Sequence, residues 1–169
     1  MSSMNFGSDA PADPATLHGR DWPTLRQFGV FLENRVGNLH DLLRRIEGQD
    51  LRIMALSIVD SVDCAVVRLV LDDYERGKEV LNLAGFQVFE ADLIGVELPS
   101  DPQPYVRICI ALLEAEINIH YTYPLLYRRK GHGAIALYVD DIDFGLRTLA
   151  EKGHRIITEK NLLDDDEFF

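Results

Sequence analysis

The stretch "LDDYERGKEVLNLAGFQVFEADLI" (residues 71–94) determines the fold, because it recurs in altered form as "VDDIDFGLRTLAEKGHRIITEKNLL" (residues 139–163). The second stretch follows the first at a constant offset (153 − 85 = 68). The identities are Asp72, Asp73, Gly77, Leu81 and Gly85, which align with Asp140, Asp141, Gly145, Leu149 and Gly153. Upstream, "DLRIMAL" from residue 50 matches "EINIHYT" from residue 116 (116 − 50 = 66). Two similar blocks in the same order indicate an internal duplication.

The first half of each copy is predicted to contain a strand, a helix and a second strand. In the first copy, residues 28–32 form an apolar run typical of a strand, and apolar residues then recur at helical spacing. The helix residues are Leu39, Leu42, Leu43 and Ile46. The stretch "RIMALSIV" at residues 52–59 alternates between larger apolar and small or polar side chains, which predicts a half-buried strand. Its inward residues would be Met54, Leu56 and Ile58.

The second half of each copy is predicted to contain a strand, a helix and a strand. Residues 64–71 are apolar throughout most of their length, which is typical of a central strand. Asp72 or Asp73 is placed to cap the following helix, and Gly85 is placed to end it. Residues 86–98 then form a last strand that runs into the next copy. The predicted order of elements is therefore βαββαβ, twice.

This order predicts an α+β protein made of two ferredoxin-like units, each with an antiparallel sheet and both helices on one face. We assign residues 27–94 to the first unit and 95–163 to the second. With almost no linker between them, the units are expected to pair side by side and to share a sheet or a helix face. Residues 1–26 are expected to be disordered. The acidic tail at 164–169, "DDDEFF", is expected to be solvated, with a short partner-binding peptide as the alternative.

The composition excludes several classes of partner. The chain has 169 residues, of which 47% are hydrophobic and 27% charged, as in globular proteins. Its net charge of −11 (17 − 28) and its pI of about 4.8 disfavour nucleic acid and anionic membranes. The longest apolar run, residues 108–113, is too short to span a membrane, and the N-terminus lacks the basic start of a secretory signal. Because Cys64 and Cys109 have no paired spacing, we expect free thiols and a cytoplasmic location.

No grouping of catalytic or metal-binding residues is evident. The chain has five histidines, at His18, His40, His120, His132 and His154. None forms an HxH or HExxH pattern, and no nucleophile, P-loop or dinucleotide motif occurs. We therefore expect no catalytic residue, no metal and no cofactor. Tyr121, Tyr123 and Tyr127 would share one strand face, which favours a core or an interface between sheets over a ligand wall.

Three motifs within this duplication resemble the ACT domain, a small regulatory module that usually binds amino acids. They are "NRVGNL" at residues 34–39, "AGFQV" at 84–88 and "INIHYTY" at 117–123. The resemblance covers residues 27–163 and is to the stand-alone tandem type. It implies that the elbow between the first strand and the first helix binds ligand through main-chain amides. The ligand carboxylate would then lie at a helix N-terminus.

The resemblance implies one good ligand site per chain. Its first segment is the elbow Asn34, Arg35, Val36, Gly37, Asn38 and Leu39. Its second is the strand start that contains Asn118, His120 and Tyr121. Asn34 matches an elbow Asn of the serine-regulated phosphoglycerate dehydrogenase domains, but Leu32 replaces their His and Val36 replaces their Pro, which favours a less polar ligand than serine. The competing interpretation of Asn34 and Gly37 is turn chemistry alone.

The second elbow departs further from the family pattern. Gln103 stands where Gly37 does, and Pro104, which has no amide donor, stands where Asn38 does. We therefore expect this elbow to be a poor site.

The resemblance implies a non-catalytic regulatory protein, a homo-oligomer and specifically a dimer, whose ligand, an amino acid, changes its association by population shift. Two alternatives remain open. The chain could be a regulatory subunit that docks on a biosynthetic enzyme, as in the acetolactate synthase small subunit type. It could also be a structural dimerisation module whose site has decayed.

Overall fold

The computed structural model describes residues 23–33, 35 and 37–163. The expectations for residues 1–22 and for the acidic tail at 164–169 therefore concern residues outside the described ranges. The same is true of Asn34 and Val36 in the predicted ligand-binding elbow.

The element order of the chain is the predicted βαββαβ pattern, twice, so the α+β, ferredoxin-like prediction is confirmed. The first unit consists of β1 (Leu25–Glu33), α1 (Asn38–Glu47), β2 (Ile53–Asp60), β3 (Cys64–Leu71), α2 (Tyr74–Leu83) and β4 (Gln87–Glu97). The second unit uses the end of β4 as its first strand. It continues with α3 (Pro104–Glu114), β5 (Ile119–Arg129), β6 (His132–Val139), α4 (Ile142–Glu151) and β7 (Ile156–Ile157). A short helix, α5 (Glu159–Leu163), follows β7.

The helices α2 and α4 begin in the same way in both copies. Asp73 accepts a hydrogen bond from the N–H of Arg76 at 3.1 Å, and Asp141 accepts one from the N–H of Phe144 at 2.9 Å. Each aspartate is thus a helix N-cap, as expected for a carboxylate that satisfies an otherwise unpaired amide. Among the described residues, no helix has the length and apolar character needed to span a bilayer.

The strand β4 belongs to both units. The strand order is β2-β3-β1-β4-β6-β5, with antiparallel neighbours, and β7 also pairs with β4. Residues 87–93 of β4 pair with β1, whereas residues 94–97 pair with β6. The strand is therefore at the edge of the first sheet and inside the second. The units share a sheet strand, which is one of the two expected arrangements.

Three apolar cores stabilise this arrangement. One lies between α1, α2 and the first sheet, and a second between α3, α4 and the second sheet. The third lies between the two sheets, on the faces that carry no helices. Its buried members include Leu25, Met54, Leu93, Tyr123, Leu125, Tyr127 and Ile157. Tyr121 packs against this core, so the prediction that the tyrosine row lies between sheets is confirmed.

The predicted alternation in β2 is wrong. Met54 is buried, but Leu56 and Ile58 remain 42% and 45% exposed. A register shift between Ile53 and Ala55 interrupts the pairing with β3, so Met54 and Ala55 both enter the core between the sheets. Because β2 is an edge strand, a bulge there displaces the later residues from the predicted buried positions.

The strand β1 begins earlier than expected. Residues 23–26 were assigned to the disordered segment, but Thr24, Leu25 and Arg26 are buried and β1 starts at Leu25. Leu25 packs in the core between the sheets. Arg26 is buried because Glu159 supplies a partner for its charge, which the local sequence does not reveal.

Candidate ligand-binding site

The elbow that follows β1 leads directly into α1. The N–H of Arg35 donates to the carbonyl oxygen of Glu33 at 2.7 Å, and the N–H of Asn38 donates to the carbonyl oxygen of Arg35 at 3.2 Å. The side-chain amide of Asn38 donates to the same Glu33 oxygen at 2.9 Å. These bonds fix a tight turn at the N-terminus of α1, where the first backbone amides of a helix have no partner within the helix.

Gly37 occupies a conformation that favours glycine. It is the N-cap of α1 and has a φ of 109°, which L side chains rarely adopt. A Cβ at this position would meet no heavy atom within 4 Å, so backbone conformation, and not crowding, accounts for the glycine. No side-chain cap is recorded for α1 among the described residues. As far as the described residues show, the elbow therefore combines open space at Gly37 with a helix N-terminus that no side chain caps.

The second elbow, before α3, is occupied by the side chain of Asp101. The Asp101 carboxylate accepts a hydrogen bond from the N–H of Gln103 at 2.8 Å and pairs with Arg107 at 2.9 Å. These two contacts lower the pKa of Asp101, the backbone bond more than the arginine. Pro104 occupies the first turn of α3, where it supplies no amide. An anion at this elbow would have to displace the Asp101 carboxylate.

Asn118 is held in place by hydrogen bonds to Asp140. Its backbone N–H and its side-chain amide both donate to the Asp140 carboxylate, each at 3.1 Å. In the first copy, the N–H of Arg52 donates in the same way to Asp72 at 3.0 Å. The contact is thus repeated by the duplication and holds the start of the second strand of each unit to the end of the third. The side-chain oxygen of Asn118 has no hydrogen-bond partner among the described residues, so this atom can accept a hydrogen bond.

A register shift in β5 between Ile119 and Tyr121 accompanies an arrangement in which His120 and Tyr121 both contact the ring of Tyr138. The exposed ring of His120 is 5.3 Å from the ring of Tyr138. The Tyr121 hydroxyl accepts a hydrogen bond from the side chain of Gln27 at 2.9 Å, and the guanidinium of Arg68 lies 3.8 Å from its ring centroid. Tyr121 therefore connects the two sheets. No described hydrogen bond, ion pair or ring contact joins Asn118, His120 or Tyr121 to the elbow, so their joint role in binding stays a prediction.

A buried ionic cluster that the sequence did not predict lies behind α2. Arg26 donates to both carboxylate oxygens of Glu159 at 2.7 Å, and its guanidinium lies 3.5 Å from the Tyr74 ring centroid. Tyr74 in turn donates a hydrogen bond to Glu90. Burial, followed by the Glu90 carboxylate, raises the pKa of Tyr74. The long sequence separation of these residues left no local signal from which to find the cluster.

The cluster lies beside an open cleft of about 830 Å³. Arg26 and Glu159 contribute to its wall together with residues of α1 and α2, including Arg45, Arg76 and Glu79. Because Arg26 already donates to Glu159 and Glu75, the buried charge is satisfied without a ligand. Among the described residues, no group of three or more His, Cys, Asp or Glu side chains could hold a metal ion.

Comparisons with known proteins agree on the architecture. Residues 23–165 match the sequence model of the ACT domain pair. A search of curated protein sequences finds no match. Among solved structures, protein BT0572 from Bacteroides thetaiotaomicron is similar with a TM-score of 0.76 and 20% identity, covering 83% of this chain and 96% of that one. The regulatory subunit of aspartate kinase from Thermus thermophilus, in its ligand-free form, has a TM-score of 0.53 and 12% identity, covering 77% and 93%. At these identities the structural matches show the fold.

Proposed function

Because the chain belongs to the ACT domain pair family, whose members are regulatory domains, we propose that it is a non-catalytic regulatory protein that binds an amino acid at the elbow of its first unit. The observation that carries the proposal is the contrast between the two elbows. The first has a glycine N-cap with a φ of 109° and open space around it. The second is occupied by the Asp101 carboxylate.

The chemistry of the first elbow suits a zwitterion. The amides of Leu39 and His40, which have no partner among the described residues, and the positive end of the helix dipole at the start of α1 favour a carboxylate. Glu33 and Asp41 place exposed carboxylates at the same elbow, and these are acceptors for an ammonium group. Glu33 pairs with Arg35 at 3.1 Å, and the Asp41 carboxylate lies 3.6 Å from the His40 ring. An amino acid would thus be bound through both of its charged ends.

The side chain of the ligand is expected to be apolar or branched. Leu32 is buried in the core beneath α1, so it offers the elbow no polar group in place of the His of the serine-binding domains. Leu39, in the first turn of α1, is half-buried and apolar. Asn34 and Val36, which lie outside the described residues, complete the proposed segment. Asn118, His120 and Tyr121 remain the proposed second segment, with the Asn118 oxygen as a possible acceptor.

Regulation would follow from a shift in populations. A ligand changes an equilibrium between two states only by the difference of its affinities for them. An elbow on the surface presents different neighbours when the protein associates, so an amino acid bound there would favour one association state. The regulated event is either self-association, with a dimer as the expected state, or docking on a biosynthetic enzyme.

A thermal-shift panel of the proteinogenic amino acids at millimolar concentration tests the proposal. A ligand present at 100 times its Kd stabilises the folded state by about 2.7 kcal/mol, which gives a clear shift. We expect one amino acid or one chemical class to stabilise the full chain. Gly37→Val should abolish the effect.

The matched control is Gly131→Val, because Gly131 also has a positive φ of 81° and open space, but lies at the hairpin between β5 and β6. Gly131→Val should lose stability and still respond to the ligand. A shift that survives Gly37→Val would contradict the proposed site. A panel without a response, together with co-purification of a large enzyme, would favour the docking alternative.

A further inference from the structure

The outward face of α3 is apolar. Val106, Ile110 and Leu113 are 45%, 46% and 56% exposed, and their spacing places them in one stripe along the helix. The opposite face of α3 is also apolar, since Ile108 and Leu112 are fully buried in the core of the second unit. A helix with apolar residues on both faces is typically covered on both sides.

The duplication supplies an internal comparison for this stripe. At an offset of 66 residues, Val106, Ile110 and Leu113 correspond to His40, Arg44 and Glu47 of α1. These three residues are exposed and polar, and Arg44 pairs with Glu47 at 2.8 Å.

The buried positions did not change in this way. Leu42 and Ile46 of α1 correspond to Ile108 and Leu112 of α3, and all four are apolar and buried. The fold therefore requires the inner face to be apolar and accepts a charged outer face. The outer face is polar in the first copy and apolar in the second, and an exposed apolar face of this kind is typical of a contact surface.

We propose that α3 is the contact surface between two copies of this chain, packed antiparallel about a two-fold axis that passes near Ile110. In such a contact the same surface meets itself, so residues at equal distances before and after the axis lie opposite each other. Val106 lies four residues before Ile110 and Leu113 lies three residues after it. Each Val106 would then pack near Leu113 of the second copy, and the two Ile110 side chains would meet at the centre.

The charged residues at the ends of the stripe favour an antiparallel second copy as its partner. Arg107 lies near the start of α3 and Glu114 at its end, and their side chains are 67% and 63% exposed. Within the chain they pair with Asp101 and Lys152, each at 2.9 Å. An antiparallel arrangement places Arg107 of each copy near Glu114 of the other, whereas a parallel arrangement would place like charges together.

The net charge of the chain also limits where two copies can meet. At −11, two chains repel each other over most of their surfaces. The stripe with Arg107 and Glu114 is neutral overall, so it avoids this repulsion. A stable dimer buries about 800 Å² per partner, so the polar residues around the stripe would form the rim of the contact. The inference goes beyond ligand binding and stands whether or not the first elbow binds an amino acid.

The first test measures the mass of the full chain by sedimentation velocity over a wide range of concentrations. The test variant replaces the stripe by the residues that α1 carries, Val106→His, Ile110→Arg and Leu113→Glu. We expect the unchanged chain to be a dimer and the variant to be a monomer with the same far-UV circular dichroism. Leu83→Glu is the control, since Leu83 is 81% exposed on α2 and its variant should remain a dimer.

The second test does not depend on the folding of the triple variant. Ile110→Cys, with Cys64→Ser and Cys109→Ala, should form a disulfide-linked dimer under mild oxidation, because two Ile110 positions face each other at the axis. Val62→Cys in the same background should not, since Val62 lies in the turn between β2 and β3. A monomeric unchanged chain, a dimer that survives the stripe replacement, or absence of the Ile110→Cys crosslink would each overturn the proposal. Both tests are run without added amino acid, so their outcome is distinguishable from that of the amino-acid panel.

Discussion

Arg26 and Glu159 lie 133 residues apart in the sequence and are joined by two hydrogen bonds of 2.7 Å. Their side chains are 6% and 10% exposed, so this is a buried ion pair. It attaches α5, which follows the last strand, to the first strand of the chain. The pair therefore connects the two ends of the described structure as well as its two units.

Removal of one partner of this pair should be strongly destabilising. Glu159→Ala would leave the buried Arg26 charge with the exposed Glu75 as its one carboxylate partner among the described residues, and breaking a buried pair typically costs about 3–5 kcal/mol. Urea unfolding measures the change in the free energy of unfolding. Glu114→Ala removes an exposed pair with Lys152 and should cost less than about 1 kcal/mol. Equal losses in the two variants would show that the buried pair contributes no more than a surface contact.

The shared strand predicts that the two units unfold together. Leu93 is fully buried in the core between the sheets, where β4 passes from one unit to the other. Leu93→Ala should cost about 2–5 kcal/mol, because it removes apolar contacts and leaves a cavity. Calorimetry should give a single transition for both the unchanged chain and the variant. Leu83→Ala, at an exposed position, should change little. Two separate transitions would contradict the view that the units form one cooperative structure.

Gly29 and Phe89 should show strong energetic coupling. The Phe89 ring lies on Gly29 of the neighbouring strand, so a Cβ at Gly29 would overlap the ring. Because Phe89 is 38% exposed and its ring can move outward, Gly29→Ala should cost about 1 kcal/mol, at the low end for overpacking. In a Phe89→Ala background the same change should be neutral or slightly stabilising, because alanine is favoured over glycine in a strand. A double-mutant cycle measures this coupling, and additive effects of the two changes would refute it.

Tyr123 should make stability sensitive to alkaline pH. Burial, reinforced by Tyr121, raises the pKa of Tyr123 above its ordinary value of 10.0. The folded state keeps the proton while the unfolded state loses it, so the stability from this group is full below pH 10 and declines as pH rises above 10. At pH 7, Tyr123→Phe should cost about 1–3 kcal/mol, because the Gln27 oxygen loses its donor.

The difference in unfolding free energy between the unchanged chain and Tyr123→Phe should shrink between pH 7 and pH 11. Urea unfolding across this range provides the measurement. A difference that stays constant would mean that Tyr123 ionises equally in both states.

Local patterns predicted much of this fold. Asp73 and Asp141 cap helices because capping depends on the few amides that follow them. Gly85 follows the end of α2 with a φ of 77°, as predicted for a glycine that ends a helix, since backbone conformation is also a local property. The tyrosine row on β5 lies between the sheets because alternation along a strand fixes the face.

Features that depend on distant residues were not predicted. The bulge in β2 moves Met54 and Ala55 to the same core, and no local pattern marks a change of register. Arg26 is buried because of Glu159, far away in the sequence. For the candidate site, the contact of Asn118 with Asp140 was also not predicted. It joins the residue before β5 to the residue after β6, and no local pattern marks such a contact.

The double use of β4 also sets an order in which the chain can be assembled during synthesis. The first unit has all of its strands once residue 93 has emerged, since residues 87–93 complete the pairing with β1. The next four residues then extend from a strand that is already fixed, and β6 pairs with them later. The second unit thus grows on a template provided by the first, and the growing chain does not have to nucleate two independent sheets.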